Sequence, residues 1–187
     1  MIGWIIFGVV VAGILLWYVG VYNKLISLRE RVNNAWAQID TQLVRRFDLI
    51  PNLVETVKGY AKHESDTLER VIAARTQYMS ANGNVEQMAQ AENMLSGTLK
   101  SIFALSEAYP ELKANVNFQQ LSTELTGTED KIAYARQFYN DTVQMYNVQL
   151  ETFPNNIVVS ISGANKFAKR SFFEAAAEEK KNVKVQF

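Results

Sequence analysis

The N-terminal 23 residues carry no charged side chain, and this segment constrains the fold more than any other feature of the sequence. Residues 1–22 read MIGWIIFGVVVAGILLWYVGVY, and the first charged side chain is Lys24. About 20 apolar residues in a helix, at 1.5 Å per residue, cross a hydrocarbon core of roughly 30 Å. A helix also pairs its own backbone groups, as lipid requires. The sequence therefore predicts a transmembrane helix over residues 1–22.

Aromatic and small residues suggest how this helix would sit in a membrane. Amphipathic rings are enriched where a membrane meets water, so the rings near the two ends of the span are predicted anchors. Gly8 and Ala12 form a small-xxx-small pair through which two spans would approach closely. The predicted interface anchors are Trp4, Trp17, Tyr18 and Tyr22.

A cleaved signal peptide is the main alternative to a membrane span. The segment has no basic region before its apolar run, the run is long, and no small-x-small cleavage site follows it, so we favour the span. A third interpretation of this segment, a buried helix of a soluble domain, is less favoured than the signal peptide. Lys24, Arg29 and Arg31 follow the segment and no base precedes it. The positive-inside rule then predicts a single-pass membrane protein with the N-terminus outside and the helical domain cytoplasmic.

The composition argues against several classes of function. The chain has no cysteine, which excludes disulfides and thiolate sites, and one histidine, His63. His63-Glu64 begins like a zinc-protease helix, but Thr67 stands where the second histidine is needed. The 19 bases and 19 acids balance, which argues against a nucleic-acid partner. With no glycine-rich phosphate loop or nucleophile elbow either, we expect no enzyme, no metal and no cofactor.

Beyond the span, apolar residues recur in steps of three and four, as in helices that bury one face. Breaking residues are scarce, and Asn82-Gly83-Asn84 is a strong turn. We predict an all-α fold, in which the transmembrane helix is followed by a long antiparallel four-helix bundle, with coiled-coil-like packing, over residues 23–154. The four stripes begin at Leu25, Leu53, Val85 and Phe118 and run to Leu43, Tyr78, Ile102 and Phe153.

The segment around Pro51 leaves two structures open. A cap by Asp48, or by Asn52 with Glu55, would start a new helix there, and proline is accepted in a first helical turn. A kinked continuous helix is the alternative, because the segment has no glycine and the apolar phase runs on through it. The helix lengths suit a bundle better if the chain reverses, so we expect a hairpin.

Two charged regions are candidate contact sites. Arg45, Arg46 and Asp48 would bind a partner protein or lipid headgroups, although an internal ion pair of Arg45 with Asp48 or Glu55 is favoured.

The second candidate region lies in the segment 155–187, for which we predict a short amphipathic helix over about 164–181 and an extended, strand-like end at 183–187. Its rings and bases would lie on a membrane surface, or pack onto the bundle or a neighbouring chain. Single-stranded nucleic acid ranks far lower. The residues are Lys166, Phe167, Lys169, Arg170, Phe172 and Phe173.

Several blocks of the sequence resemble the LemA family, in order along essentially the whole chain. They include YNKL at 22–25, AWAQID at 35–40, RR at 45–46, DLIPNLV at 48–54, ETVKGYA at 55–61, YPELKAN at 109–115, YND at 139–141 and FE at 173–174. The resemblance implies a bacterial single-pass membrane protein with a helical bundle, and no established catalytic activity. Some relatives are associated with magnetosome membrane formation. Asn182 departs from the family pattern, which usually has proline there.

These observations lead to two hypotheses for the function. The first is a non-enzymatic, membrane-anchored scaffold that contacts lipid, forms homo-oligomers, and organises or shapes a membrane region. The second is an adaptor or sensor that docks another membrane protein, such as a protease or a signalling system, through residues 45–51.

Overall fold

The computed structural model describes residues 1–61, 64–81, 83–163 and 165–173, which form helices and their connections without a strand. The predicted all-α class is therefore confirmed, whereas the antiparallel four-helix arrangement stays a prediction. The helices are α1 (Ile2–Asp48), α2 (Ile50–Lys58), α3 (Ser65–Ser80), α4 (Val85–Ser106), α5 (Pro110–Ala114), α6 (Val116–Glu151) and α7 (Asn155–Ser162).

Helix α1 is a single helix of 47 residues that runs from the apolar segment into the first amphipathic stripe. Neither glycine nor proline stands between Val21 and Asp48, so nothing in the backbone chemistry interrupts it. Among the described residues, the helix beginning at Ile2 alone is long and apolar enough to cross a membrane, and its most apolar stretch is not buried within the chain.

The hairpin expected at Pro51 is wrong. Leu49, between α1 and α2, keeps right-handed helical angles (φ −75°, ψ −19°). Its N–H donates to the carbonyl oxygen of Arg46 at 3.3 Å, and its own carbonyl accepts from the N–H of Leu53 at 3.1 Å. Pro51 falls in the first turn of α2, where its missing N–H is not needed. Helical backbone therefore continues past Leu49, because the apolar residues before and after it lie on the same buried face.

The chain instead leaves its helix after Lys58, within the stripe that was expected to be one second helix. The N–H groups of Tyr60 and Ala61 both donate to the carbonyl of Val57, at 3.0 and 2.8 Å, and α3 starts only at Ser65. Residues 62 and 63, and with them the histidine His63, lie outside the described residues. The sequence signalled this break only as a gap in the apolar stripe.

The turn between α3 and α4 follows the prediction. Gly83 has a positive φ of 80°, a conformation that glycine adopts without strain. The side chain of Asn84 caps α4 by accepting from the N–H of Gln87 at 3.1 Å. Asn82 lies outside the described residues. Helices α3 and α4 pack against each other.

Helix α6 confirms the longest predicted helix and continues through Gly127 without a break. Its start is fixed by Asn115, whose side chain accepts from the N–H of Phe118 at 3.0 Å.

The predicted C-terminal amphipathic helix is wrong for the residues that the structure describes. Residues 165–173 are not helical. The helix lies earlier, as α7, and ends at Ser162, after which Gly163 has a positive φ of 91° that glycine adopts without strain. Residue 164 and residues 174–187, including the predicted strand-like end, lie outside the described residues.

The described chain divides into two compact units. The first, which we call the span unit, comprises Met1–Ala37 and Phe138–Ser171. The second, which we call the helical unit, comprises Gln38–Gln137 with Phe172 and Phe173. Buried side chains of the span unit include Leu25, Val32, Tyr139, Val143, Tyr146, Leu150, Val158 and Phe167. Those of the helical unit include Leu43, Phe47, Ile50, Leu53, Val71, Leu95, Leu99, Ile102, Leu125 and Ile132.

Candidate functional site

The span unit gathers aromatic, hydroxyl and basic side chains at the C-terminal end of the apolar segment. The hydroxyls of Tyr18 and Ser162 are hydrogen-bonded at 2.9 Å. The ring of Phe167 meets the ring of Tyr22 edge to face, with centroids 5.7 Å apart. The ammonium of Lys166 lies 4.9 Å from the Tyr22 ring centroid, which is a cation–π distance. We call these five residues the span-end cluster.

An open cleft of about 370 Å³ is part of this cluster and is lined by Tyr18, Val19, Tyr22, Ser162 and Lys166. Two tyrosine rings on the charge-free segment, with the ammonium group of Lys166 beside them, suit the headgroup region of a bilayer, because such side chains have an apolar body and a polar tip. The predicted anchors Tyr18 and Tyr22 therefore lie together with Lys166, which the sequence analysis had placed in a separate candidate region.

The segment 165–173 is held to α6 by side chains that sequence analysis did not assign to it. The amide of Asn147 makes two hydrogen bonds with the backbone of Arg170: its Nδ2 donates to the carbonyl at 2.9 Å, and its Oδ1 accepts from the N–H at 3.0 Å. The hydroxyl of Tyr139 donates to the carbonyl of Ser171 at 2.9 Å. Lys169 pairs with Glu151.

Asn147→Ala should release this segment, because each lost hydrogen bond is worth about 1 kcal/mol. We expect trypsin to cut faster after Lys166, Lys169 and Arg170 in the full chain, which mass spectrometry of the fragments would show. Gln144→Ala, on an exposed position of the same helix, is the control. Equal cleavage of the two variants would contradict this role of Asn147.

The two buried tyrosines of α6 differ in how their hydroxyls are satisfied. Burial raises the pKa of Tyr139 and of Tyr146, so both stay neutral at physiological pH. Tyr139 has its partner on Ser171, as expected of a buried tyrosine. The Tyr146 hydroxyl has no hydrogen-bond partner among the described residues. Tyr134 is exposed.

Most of the other predicted contact residues are on the surface. Gly8 and Ala12 are exposed, and no heavy atom lies within 4 Å of a Cβ built on Gly8. Arg45 is exposed and its guanidinium lies 3.7 Å from the carboxylate of Glu124, a pair between half-exposed groups. The remaining exposed predicted residues are Trp4, Trp17, Asp48, Lys166, Lys169, Arg170 and Phe172.

Three predicted contact residues are buried and need correction. Phe167 and Phe173 are 3% and 0% exposed, so neither ring reaches a lipid or a partner in this structure. Phe167 packs on Tyr22, and Phe173 lies under the guanidinium of Arg136 at 5.0 Å. Arg46 is 0% exposed and is the largest fully buried side chain described.

Arg46 belongs to a buried charge cluster in the helical unit. Its guanidinium pairs with Glu92, which is 1% exposed, and donates to the hydroxyl of Ser96 at 3.1 Å. Ser96 in turn donates to Glu92 at 3.1 Å, and Glu129 lies 3.5 Å from the second guanidinium nitrogen. Both arginines therefore form internal ion pairs, as favoured from the sequence, but the partners differ from those expected. Arg46 pairs with Glu92 of α4 and Arg45 with Glu124 of α6, rather than with Asp48 or Glu55.

Glu92 could have been found in the sequence by its position in the apolar stripe of α4. The steps from Met88 to Glu92, Leu95 and Leu99 are four, three and four, so Glu92 occupies a core position. A charge at such a position is rarely buried unless paired. Burial raises the pKa of the Glu92 carboxyl above its usual 4.5, even though the charge of Arg46 and the Ser96 hydrogen bond lower it.

The raised pKa of Glu92 predicts a pH dependence of stability. A group whose pKa is higher in the folded than in the unfolded state stabilises the fold fully below the unfolded value and loses that contribution as pH rises through the folded value. We therefore expect the melting temperature of the wild type, minus that of Glu92→Gln, to fall as pH rises from about 4.5 towards neutral. Thermal unfolding by circular dichroism would measure it, and a rising difference would contradict it.

No group of three or more histidines, cysteines or carboxylates in the described part of the chain is placed to hold a metal ion. The expected absence of a metal and of a cofactor remains a prediction.

Comparison with known proteins identifies relatives of the chain. The LemA family profile matches residues 35–187. The chain is similar to Protein LemA of Metamycoplasma hominis, with 31% identity over 145 residues, covering 75% of this chain and 64% of the relative. It is also similar, at 21% identity, to Magnetosome protein MamQ 2 of Paramagnetospirillum magneticum, over 82% of this chain and 64% of the relative.

Magnetosome protein MamQ of Magnetospirillum gryphiswaldense is a further relative, at 21% identity over 76% of this chain and 61% of the relative. The chain therefore spans less than two thirds of the length of these relatives.

Proposed function

Because the chain belongs to the LemA family, we propose that it is a membrane-anchored helical scaffold that self-associates and organises or shapes a region of the bacterial inner membrane. Its role is structural rather than catalytic, and its partners are membrane lipid and further copies of itself.

The main observation behind this proposal is that α1 is unbroken and that its apolar stretch is not buried. No residue of its most apolar stretch is buried within the chain, and the same unbroken helix continues into the buried positions Leu25 and Val32. Large contiguous apolar surfaces of this kind mark contacts with a membrane or another protein. An unbroken helix also transmits a fixed geometry from the membrane to the packed residues.

Further observations support the proposal. The span-end cluster places Tyr18, Tyr22 and Lys166 where a bilayer interface would meet a span that ends near Tyr22. The buried charges of Arg46 and Glu92 join α1 to α4, which is a packing role. The magnetosome proteins among the relatives are consistent with a role in membrane organisation. The bases after the span support a cytoplasmic helical domain.

Self-association through the span can be tested with single cysteines, since the natural chain has none. Gly8→Cys and Ala12→Cys lie on one face of α1, and Val10→Cys lies on the opposite face. In oxidised native membranes we expect intermolecular disulfides at positions 8 and 12 in preference to position 10. Monomers at all three positions would contradict self-association through this face.

An adaptor that docks another membrane protein is the second candidate, favoured by one observation. Arg45 and its partner Glu124 are exposed, and Glu124 also lines an open cleft of about 420 Å³ with Asn52, Glu55 and Thr56. Arg46 cannot take part because it is buried. A stoichiometric foreign protein that co-purifies with the wild type and is lost in Arg45→Ala would favour the adaptor over the scaffold.

A further inference from the structure

Helix α7 exposes an apolar face that no predicted site includes. Ile157 and Ile161 lie four residues apart within α7, so they share one side of the helix. They are 42% and 68% exposed, and Phe153, which precedes the helix, is 74% exposed. The other side of α7 already packs, since Asn155 and Val158 are buried. The exposed face is therefore a second surface on a helix that is held in place.

The stretch of sequence that contains this face carries no charge. Between Glu151 and Lys166 the sequence has no ionisable side chain, and the helix itself reads NNIVVSIS. Three exposed bases, Lys166, Lys169 and Arg170, follow directly. An apolar face followed by bases is the pattern of elements that lie in a membrane interface.

The contacts of the span unit fix the depth of α7 relative to α1. The hydrogen bond of 2.9 Å between Ser162 and Tyr18 joins the last residue of α7 to the apolar segment, at a position four residues before Tyr22. Four residues of helix correspond to about 6 Å. Ile161 therefore lies close to the level of α1 at which the charge-free segment ends. At the same end of α1, Phe167 and Lys166 contact Tyr22.

We propose that α7 is an interfacial membrane element, whose side chains Ile157 and Ile161 enter the boundary between headgroups and acyl chains beside α1. The proposal rests on the membrane anchoring in the proposed function and adds a second contact with the same leaflet. Lys166 is the headgroup contact that accompanies it, because its ammonium is held over Tyr22 at the same level.

Lipid fits this face better than a second protein. A stable protein interface buries about 800 Å² on each partner, far more than two side chains on an eight-residue helix supply. The exposed bases Lys166 and Arg170 also match an anionic headgroup surface. Helix α7 is joined, through the hydrogen bond of Ser162 with Tyr18, to the span that the bilayer would surround.

Spin labels on single cysteines in the full-length chain, reconstituted in vesicles of phosphatidylcholine and phosphatidylglycerol, test the proposal. Labels at Ile157→Cys and Ile161→Cys are compared with Asn156→Cys, an exposed position on the polar edge of α7. Val10→Cys in the span is the control for anchoring. The readout is the ratio of collisions with oxygen, which concentrates in lipid, to collisions with a water-soluble nickel chelate.

We expect a higher ratio at positions 157 and 161 than at position 156, and the highest at position 10. Water-like ratios at 157 and 161 with a lipid-like ratio at 10 would overturn the interfacial role of α7 and leave the anchoring intact. A water-like ratio at position 10 would instead contradict the anchoring itself. Protection of 157 and 161 from both reagents, with spin–spin broadening, would show that a second copy covers the face and would also overturn the proposal.

Discussion

Replacing Arg46 by methionine is expected to lower the free energy of unfolding by about 3–5 kcal/mol at neutral pH, because it leaves the Glu92 carboxylate buried without its counter-charge. Both side chains are almost fully buried, and the Ser96 hydroxyl alone cannot replace a guanidinium. The midpoint of urea unfolding of the full-length protein in detergent, followed by loss of helical circular dichroism, would measure the change.

Arg45→Met is the matched control for Arg46→Met. Arg45 is the adjacent residue and also pairs with a glutamate, but both partners are half-exposed, so its loss should cost at most about 1 kcal/mol. Adding Glu92→Leu to Arg46→Met should restore much of the stability, since it removes the unpaired charge. Equal effects of the two single substitutions, or no rescue in the double variant, would contradict the account of the cluster.

Phe47→Ala should also destabilise the helical unit by about 3–5 kcal/mol, because it removes a buried ring and leaves a cavity. Phe47 is fully buried and stacks on Tyr78, with ring centroids 4.1 Å apart and planes at 14°. The Tyr78 hydroxyl donates to Asp40 at 3.0 Å, so the stack also positions a link back to α1. The same urea unfolding experiment would measure the loss.

The control for Phe47→Ala is Val44→Ala, a substitution one turn earlier on α1 at a half-exposed position. Because little apolar surface is buried there, its effect should stay within about 0.5 kcal/mol. A Phe47→Ala variant as stable as Val44→Ala would show that the ring does not pack as described.

The elements that sequence analysis located correctly are those with strong local signals. The charge-free segment defined the helix that begins at Ile2, and the long stripe of α6 outweighed the weakening by Gly127. The Asn-Gly-Asn turn was correct because glycine and asparagine favour the backbone conformations that a tight turn needs.

The errors arose where tertiary packing decides between two locally acceptable structures. Pro51 is acceptable both at the start of a new helix and in a helix that continues from α1. The second structure forms because the apolar residues on both sides are buried on one face. The break after Lys58 was visible in the sequence only as a gap in the second apolar stripe. Helix α7 was missed because a pattern of eight residues is too short to identify a helix. The bases and rings after it have a helix-like spacing in the sequence, but they form a non-helical segment held by Asn147.

The candidate sites were predicted in part. The rings at the end of the span were identified from the sequence, but their link to Ser162 and Lys166 joins residues about 140 positions apart and is not visible in it. For Arg46, the favoured internal ion pair is present but with a partner that was not predicted, and the alternative of a lipid or partner contact is wrong because the side chain is buried. Its partner Glu92 stood in an apolar stripe, and a charge in that position is the signal that would have located the cluster.

The oligomeric state of the full-length protein in native membranes tests the central claim most directly. Membrane patches excised with a styrene–maleic acid copolymer, without detergent, would carry fluorescently tagged protein, and photobleaching steps would count the copies in each patch. The scaffold account predicts that most patches contain two or more copies at low expression. One copy in each patch, at every expression level and without crosslinking in cells, would contradict it.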